Sequence, residues 1–154
     1  GDGVLLWLCN PQYIKEVVVP AVTRGRERAG KSLDGFEIVP AVPSGLTEDP
    51  SAARDAMRKD LIPYLGLPFY RTMLERSGFT GELAAYDAAA GAGDADGMAA
   101  AASDSLVGTL AAIGTADDIQ AGVARYRDAG ATLPSVGSIP GCDVVATLEA
   151  AIAS

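Results

Sequence analysis

Apolar and polar positions fall in blocks along the chain, and the first block sets the reading. Val4–Leu8 is a short apolar run closed by Asn10 and Pro11. That is the pattern of a strand buried on both faces that leads straight into a helix. No polar lead-in or earlier element shields it, which points to partner strands from another chain or to the later part of a longer fold. Asn10 is placed to cap the following helix and Pro11 to open it, where a missing N–H costs nothing. Ile14, Val17, Val18, Ala21, Val22, Gly25 and Ala29 then recur at three-and-four spacing, an amphipathic face turned to a core. Pro20 lies inside that pattern and predicts a kink or a split, and Gly30 a stop.

Phe36–Pro43 predicts a second short buried strand, irregular at Pro40, which has no ladder donor; residues 44–48 read as the loop after it. Asp49 and Pro50 open a helix with Ala52, Ala53, Ala56, Met57 and Leu61 on its face, and Pro63 ends it. Tyr64–Phe79 is the most aromatic stretch, with a short helix from Pro68 that stops at Gly78. It is either ordinary core packing or a lid over a pocket or a subunit contact. Helices follow over Leu83–Ala90, Ala95–Ala102 and Ser103–Ile113, broken at Gly91–Asp94 and stopped at Gly114. Thr115 and Asp118 have capping-box spacing and open a helix with Ile119, Val123 and Tyr126 inward, ended by Gly130. Ala131–Ile139 predicts a third strand interrupted by Pro134, Pro140-Gly141 a turn, and Val144–Ala153 a terminal helix. The order is strand–helix, strand–several helices, strand–helix. Such α/β units build the parallel strands of a barrel or an open doubly wound sheet.

At 154 residues the chain fits one domain, residues 1–154, with 49% hydrophobic residues to fill a core. Twelve basic against 20 acidic residues give a net charge of −8, which repels phosphate backbones and sets nucleic acid aside as a partner. No apolar run reaches the roughly 18–20 residues of a membrane span, so no membrane partner is expected. Cys9 and Cys142 are far apart and form no CxxC pair, which argues against a disulfide framework or a zinc site and suits reduced thiols in a cytoplasmic protein. Histidine is absent. Within this chain that excludes Ser-His-Asp and Cys-His catalysis and His-ligated metals, and no metal site is expected.

Residues Gly91–Gly97 (GAGDADG) have the wrong glycine spacing for a dinucleotide fingerprint and no preceding strand, and they lack the ligands of a calcium loop; a helix–helix linker is the reading. Arg24, Arg26, Arg28 and Lys31 suit the negative end of a helix dipole, and Asp117-Asp118 the positive end of another. In barrels and open α/β sheets, ligands bind beyond the C-terminal ends of the strands. Those ends make Trp7, Cys9, Asn10, Pro43, Ser44, Gly137 and Ser138 candidates for the wall of a pocket that takes a planar ring. They supply no strong acid, base or phosphate clamp. Cys9, with no histidine to activate it, reads as an inert buried thiol.

Residues 1–61 (GDGVLLWLCNPQYIKEVVVPAVTRGRERAGKSLDGFEIVPAVPSGLTEDPSAARDAMRKDL) resemble the later portion of luciferase-like monooxygenases, especially their F420-dependent oxidoreductase branch. The resemblance rests on the DGVLL strand, the Asn-Pro helix start, the Arg-Glu-Arg-Ala-Gly helix end, EIVPAVP followed by TEDPSAAR, and the closing IGTADDIQAGVARYRDAGAT. It implies a TIM-type (β/α)8 barrel of which this chain supplies about the last three β/α units, with extra helices between the second and third strands. It also implies coenzyme F420 or FMN at the barrel mouth, a small-molecule substrate, and hydride transfer or monooxygenation. The partners implied are a second copy or the barrel's N-terminal strands. The resemblance transfers no catalytic residue, because the family's usual active-site histidine and most cofactor contacts lie on earlier strands. The chain by itself is therefore expected to be inactive; the alternative is a non-enzymatic half-barrel that dimerises as a binding or structural module.

Overall fold

The computed structural model describes residues 1–152. Strand β1 (Gly3–Leu6) leads through Asn10 into helix α1 (Pro11–Tyr13), a π-helical turn (Ile14–Val18) and α2 (Val19–Arg28). Asn10 caps as its sequence position predicts: the Tyr13 N–H donates to its Oδ1 at 2.8 Å, and its Nδ2 donates to Ser77 Oγ at 2.8 Å. The run stays helical through Pro20 but is divided just before it. The backbone widens one turn earlier, where the Val19 N–H reaches back to the Ile14 carbonyl, and this places the proline in the first turn of α2.

Strand β2 (Glu37–Leu46) is the hub of a parallel sheet. Its first part pairs with β1, from Gly3↔Glu37 to Leu6↔Pro40; its last part pairs with β3 (Ala112–Gly114), from Ser44↔Ala112 to Leu46↔Gly114. Its middle pairs with β4 (Ser135–Ser138), from Ala41↔Ser135 to Ser44↔Ser138. Ser44 is in register with both Ala112 and Ser138, so β3 and β4 lie on opposite edges of β2. The strand outruns its expected end at Pro43 because both edges continue past that residue. Pro43 lies between the lengths of β2 paired to β1 and to β3, where a missing N–H breaks neither ladder.

The remaining elements are α3 (Pro50–Leu65), α4 (Pro68–Arg76), α5 (Thr80–Ala92), α6 (Ala95–Ala100), α7 (Asp104–Leu110), α8 (Ala116–Asp128) and α9 (Val144–Ile152). Pro63 sits inside the last turn of α3 rather than ending it, and the nearby Ile62 carbonyl accepts from the Tyr86 hydroxyl at 3.0 Å. Gly93, left-handed at φ +70°, closes α5, and Asp94 caps α6 through the Gly97 N–H at 2.9 Å; the helix–helix linker expected over Gly91–Gly97 forms but is only these two residues long. Residues 111–114 are not helical as their spacing suggests. Helix α7 stops at Leu110, whose carbonyl takes the buried Tyr126 hydroxyl at 2.9 Å, and β3 joins β2. The described residues thus carry four strands instead of three. The capping box of α8 forms as read, with the Thr115 N–H on Asp118 Oδ2 at 2.8 Å and the Asp118 N–H on Thr115 Oγ1 at 3.3 Å. Strand β4 is shorter than Ala131–Ile139, since the Thr132 and Leu133 N–H groups both turn to the Ile38 carbonyl ahead of Pro134. Ala153, expected at the end of α9, lies outside the described residues.

Residues in register share a face of a sheet. Val4, Leu6, Ile38 and Val42 pack into the core, and α8 and α9 pack against β2. The other face carries Leu5, Val39, Ala41, Ser135 and Gly137. Leu5 is 76% exposed, so β1 is not buried on both faces as its apolar run predicts; within these residues only one side is covered. Helix α3 packs on α4, α6, α7 and β3 instead, and with them builds a helical cluster beside the sheet. Arg58 ties α3 to the start of α7 through Asp104 and the Ala102 carbonyl, the latter at 2.9 Å.

Candidate functional site

Where the C-terminal ends of β1 and β4 meet α3, the structure holds a cavity of about 220 Å³. The strands supply Trp7 and Leu8 just past β1, Ala41–Pro43 from β2, and Ser135, Gly137, Ser138, Ile139 and Pro140 from β4 and its exit. Helix α3 supplies Met57, Asp60, Leu61 and Tyr64, residues one helical turn apart that present one face to the cavity. Leu8 adopts a left-handed φ of +51°, the only such non-glycine among the described residues; this sharp turn ends the strand and leaves Trp7 46% exposed while Leu8 points inward.

Of the residues expected to wall a pocket, Trp7, Pro43, Gly137 and Ser138 come together here. Cys9, Asn10 and Ser44 do not. All three are buried in the framework behind the cavity: Asn10 is held by its cap and Ser77, and the Ser44 hydroxyl donates to the Val42 carbonyl at 3.1 Å. The Cys9 thiol is pushed up to about 12 by burial alone, which leaves it protonated at neutral pH and without nucleophilic character. The α3 contribution had a sequence signal read another way, since Met57 and Leu61 belong to the apolar stripe taken as core. Tyr64 opens the aromatic stretch for which a lid over a pocket was one of the readings, and it lines the cavity; Asp60 gave no signal, because its place depends on where α3 docks.

An aromatic series runs outward from the cavity. The Trp7 and Tyr64 rings lie 6.1 Å apart, Tyr64 and Tyr70 5.3 Å and edge-on, and Tyr70 and Phe69 5.5 Å and edge-on. Met73 and Leu74 of the same stretch are core, whereas Phe69 is 71% exposed; the aromatic segment therefore serves both packing and the rim of the site. Burial first, and then the neighbouring Tyr64, raise the Tyr70 hydroxyl above its ordinary range. Chemically the cavity is an apolar, aromatic-edged slot with hydroxyls on Ser135 and Tyr64 and one carboxylate, Asp60, on its exposed rim; the Ser138 hydroxyl donates to the Cys142 carbonyl at 3.3 Å. It lacks any basic side chain in its wall, and no cluster suited to a metal ion occurs among the described residues.

A family model described as luciferase-like monooxygenase matches residues 1–133. The chain is 30% identical over 148 residues to the 5,10-methylenetetrahydromethanopterin reductase of Archaeoglobus fulgidus, an alignment that covers 93% of this chain and 44% of that protein. The protein of the same name from Methanopyrus kandleri is 28% identical over 150 residues, 97% of this chain and 42% of its own length. Among solved structures, the coenzyme F420-dependent tetrahydromethanopterin reductase from Methanopyrus kandleri superposes with a TM-score of 0.73 at 25% identity, over 91% of this chain and 40% of that one. An F420-dependent secondary alcohol dehydrogenase in complex with an F420–acetone adduct shares the fold, with a TM-score of 0.58 at 16% identity, over 90% of this chain and 37% of that one. The chain spans less than half the length of the curated relatives it matches.

Proposed function

Because the chain belongs to the luciferase-like monooxygenase family, we propose that it forms the C-terminal part, about three β/α units, of a (β/α)8 barrel oxidoreductase that works with coenzyme F420, FMN being the alternative. The observation that carries this reading is the open sheet face. A parallel sheet is ordinarily covered on both sides, yet Leu5 and Trp7 stand 76% and 46% exposed opposite the face that α8 and α9 cover. In a barrel that face is the packed interior, and the cavity beyond the strand ends falls at the mouth where barrel enzymes bind their ligands. The F420 dependence named for the structural relatives supports the cofactor assignment.

The lining suits a planar ring: Trp7, Pro43, Leu61 and Tyr64 give it apolar and aromatic walls, and nothing basic competes for it. F420 or FMN would supply the hydride chemistry. This chain's residues bind and orient the ring and exclude water from one side of it, while the acid–base groups come from the rest of the barrel, since no histidine is present. The 154-residue chain alone is accordingly inactive and acts on a small-molecule substrate only within the whole barrel. The source protein is expected to have more than twice the 15.7 kDa mass of this chain and to bind F420 saturably, followed by cofactor fluorescence. A source protein of this chain's mass that binds neither F420 nor FMN refutes the proposal.

One observation favours a second reading. Among the described strands β1 and β4 each pair only with β2, and Val144, Val145 and Ile152 of α9 are exposed together. A half-barrel covering these edges with a second copy would be a non-enzymatic dimer. Sedimentation at micromolar concentration separates the two: a compact monomer removes the dimer.

A further inference from the structure

A separate cavity, of about 320 Å³, lies between α3, α7, β3 and α8 and shares no lining residue with the strand-end cavity. Its charged side chains are Arg54 of α3 and Asp118 and Arg125 of α8, two guanidiniums against one carboxylate in a chain of net charge −8. Four arginines among the described residues are half-buried. Arg26 donates to the Ser32 carbonyl and lies over Phe36, Arg58 is held by Asp55 and Asp104, and Arg71 by Asp87. Arg54 is the exception: no described residue accepts a hydrogen bond from it, although its charge is felt by Asp118. Arg125 spends one N–H on the Ala111 carbonyl at 3.4 Å, a long and weak bond. Most N–H donors of the pair thus have no protein acceptor.

A glycine in the same wall is an independent sign of an occupant. Gly108 lies inside α7, where glycine is a poor helix former, and it lines the cavity. Packing does not require it. A Cβ built on Gly108 meets nothing within 4 Å, whereas one on Gly122, also in the wall, collides with Ala112. What the missing side chain of Gly108 preserves is open volume between the helices that carry the two arginines.

Asp118 decides which anion fits. Its Oδ2 accepts the Thr115 N–H and hydroxyl, each at 2.8 Å, and its Oδ1 accepts from no described residue. An anion without a proton meets that oxygen as a repulsion. An oxyanion that keeps an O–H can offer its bare oxygens to the guanidiniums and its proton to the carboxylate. We infer that this cavity is a binding site for hydrogen phosphate, seated between Arg54 and Arg125 with its O–H donated to Asp118. Sulfate has no such proton at neutral pH, and a phosphate monoester, with a second pKa of about 6, has lost it by pH 8. The site therefore selects the free ion over both.

Isothermal titration of the source protein with inorganic phosphate, sulfate and glycerol 3-phosphate, at pH 8 and fixed ionic strength, tests this. Phosphate should bind saturably with a Kd about tenfold or more below those of the other two, as for a hydrogen bond between charged groups. Arg54→Gln should weaken phosphate by about tenfold and leave Tm near the parent's, since no described residue is bonded to that side chain. Gly108→Leu, which fills the cavity and improves the helix, should abolish binding without lowering Tm. Asp118→Asn, able to donate to sulfate, should bring it to within about twofold of phosphate. No saturable phosphate binding, sulfate or glycerol 3-phosphate binding as tightly as phosphate, or a phosphate affinity unchanged in both Arg54→Gln and Gly108→Leu overturns the inference.

Discussion

The placement of α8 on β3 holds the barrel-like half of this fold to the helical cluster, and a pair of glycine substitutions tests it. Gly122 lies inside α8, and a Cβ built there collides with Ala112 Cβ and stands 3.3 Å from Ala112 Cα. Gly25 lies inside α2, and a Cβ there meets nothing within 4 Å. Each Gly→Ala change removes a poor helix former, a gain of about 1 kcal/mol. At Gly25 that gain is the whole effect. At Gly122 it is opposed by overpacking, about 1–3 kcal/mol in general, and the upper end applies because Ala112 cannot retreat. It is 2% exposed, in a three-residue strand held by Ser44↔Ala112 and by the Thr47 N–H on the Gly114 carbonyl at 3.0 Å. Gly122→Ala should therefore lose about 2 kcal/mol net, about 3 kcal/mol below Gly25→Ala. For a chain of this size that is a Tm separation of about 6–12 °C. Urea unfolding read by circular dichroism measures it, with the midpoint moving at constant m-value. A Gly122→Ala protein as stable as the parent refutes the close packing of α8 on β3.

Two further outcomes follow from the electrostatics. Burial pushes the Cys9 thiol from an ordinary value of 9.0 up to about 12, so its thiolate fraction at pH 8 falls by roughly a thousandfold. The half-buried Cys142 should be alkylated first by iodoacetamide in the folded chain, with Cys9 reacting only after unfolding; mass spectrometry of the modified peptides decides. Asp118 is held below its ordinary value of 3.8 by the Thr115 N–H and hydroxyl. A depressed folded-state value contributes stability that is present above the unfolded value and is lost as pH falls through the folded one. Asp118→Asn should therefore flatten the decline in Tm below about pH 4, and an acid limb identical to the parent's would show that the capping box does not form in solution.

The parts legible in the sequence are those where one local interaction decides. Asn10 and Pro11, Asp49 and Pro50, and Thr115 with Asp118 each satisfy the backbone donors of a helix start within three residues, so position alone identifies them. The parts misread are those where a distant partner decides. Ile113 has helical spacing from Leu106 and Leu110, and only the extended edge of β2, some seventy residues earlier, makes residues 112–114 a strand. Pro63 reads as a break, yet α3 continues through it to Leu65. Leu5 reads as buried because its run is apolar, yet among the described residues nothing covers its face and it stands 76% exposed.

The same division explains the site. Trp7, Pro43, Gly137 and Ser138 were singled out by a rule of architecture, that ligands gather beyond parallel strand ends, which depends only on strand order, and the structure brings these four to one cavity. It overreached at Cys9, Asn10 and Ser44 because it fixes an end of the sheet and not a side-chain direction; the left-handed turn at Leu8 redirects the next two residues into the core. It missed Asp60 and Tyr64, since α3 reaches the cavity through its packing on α4, α6, α7 and β3. Trp7, the neighbouring Leu5 and the strand ends all belong to the sheet face that α8 and α9 leave open. The cavity and the exposed face thus have one cause. A covering that buries Leu5 in a completed barrel must also close the side of the cavity next to Trp7, so ring binding there should tighten when the rest of the barrel is present.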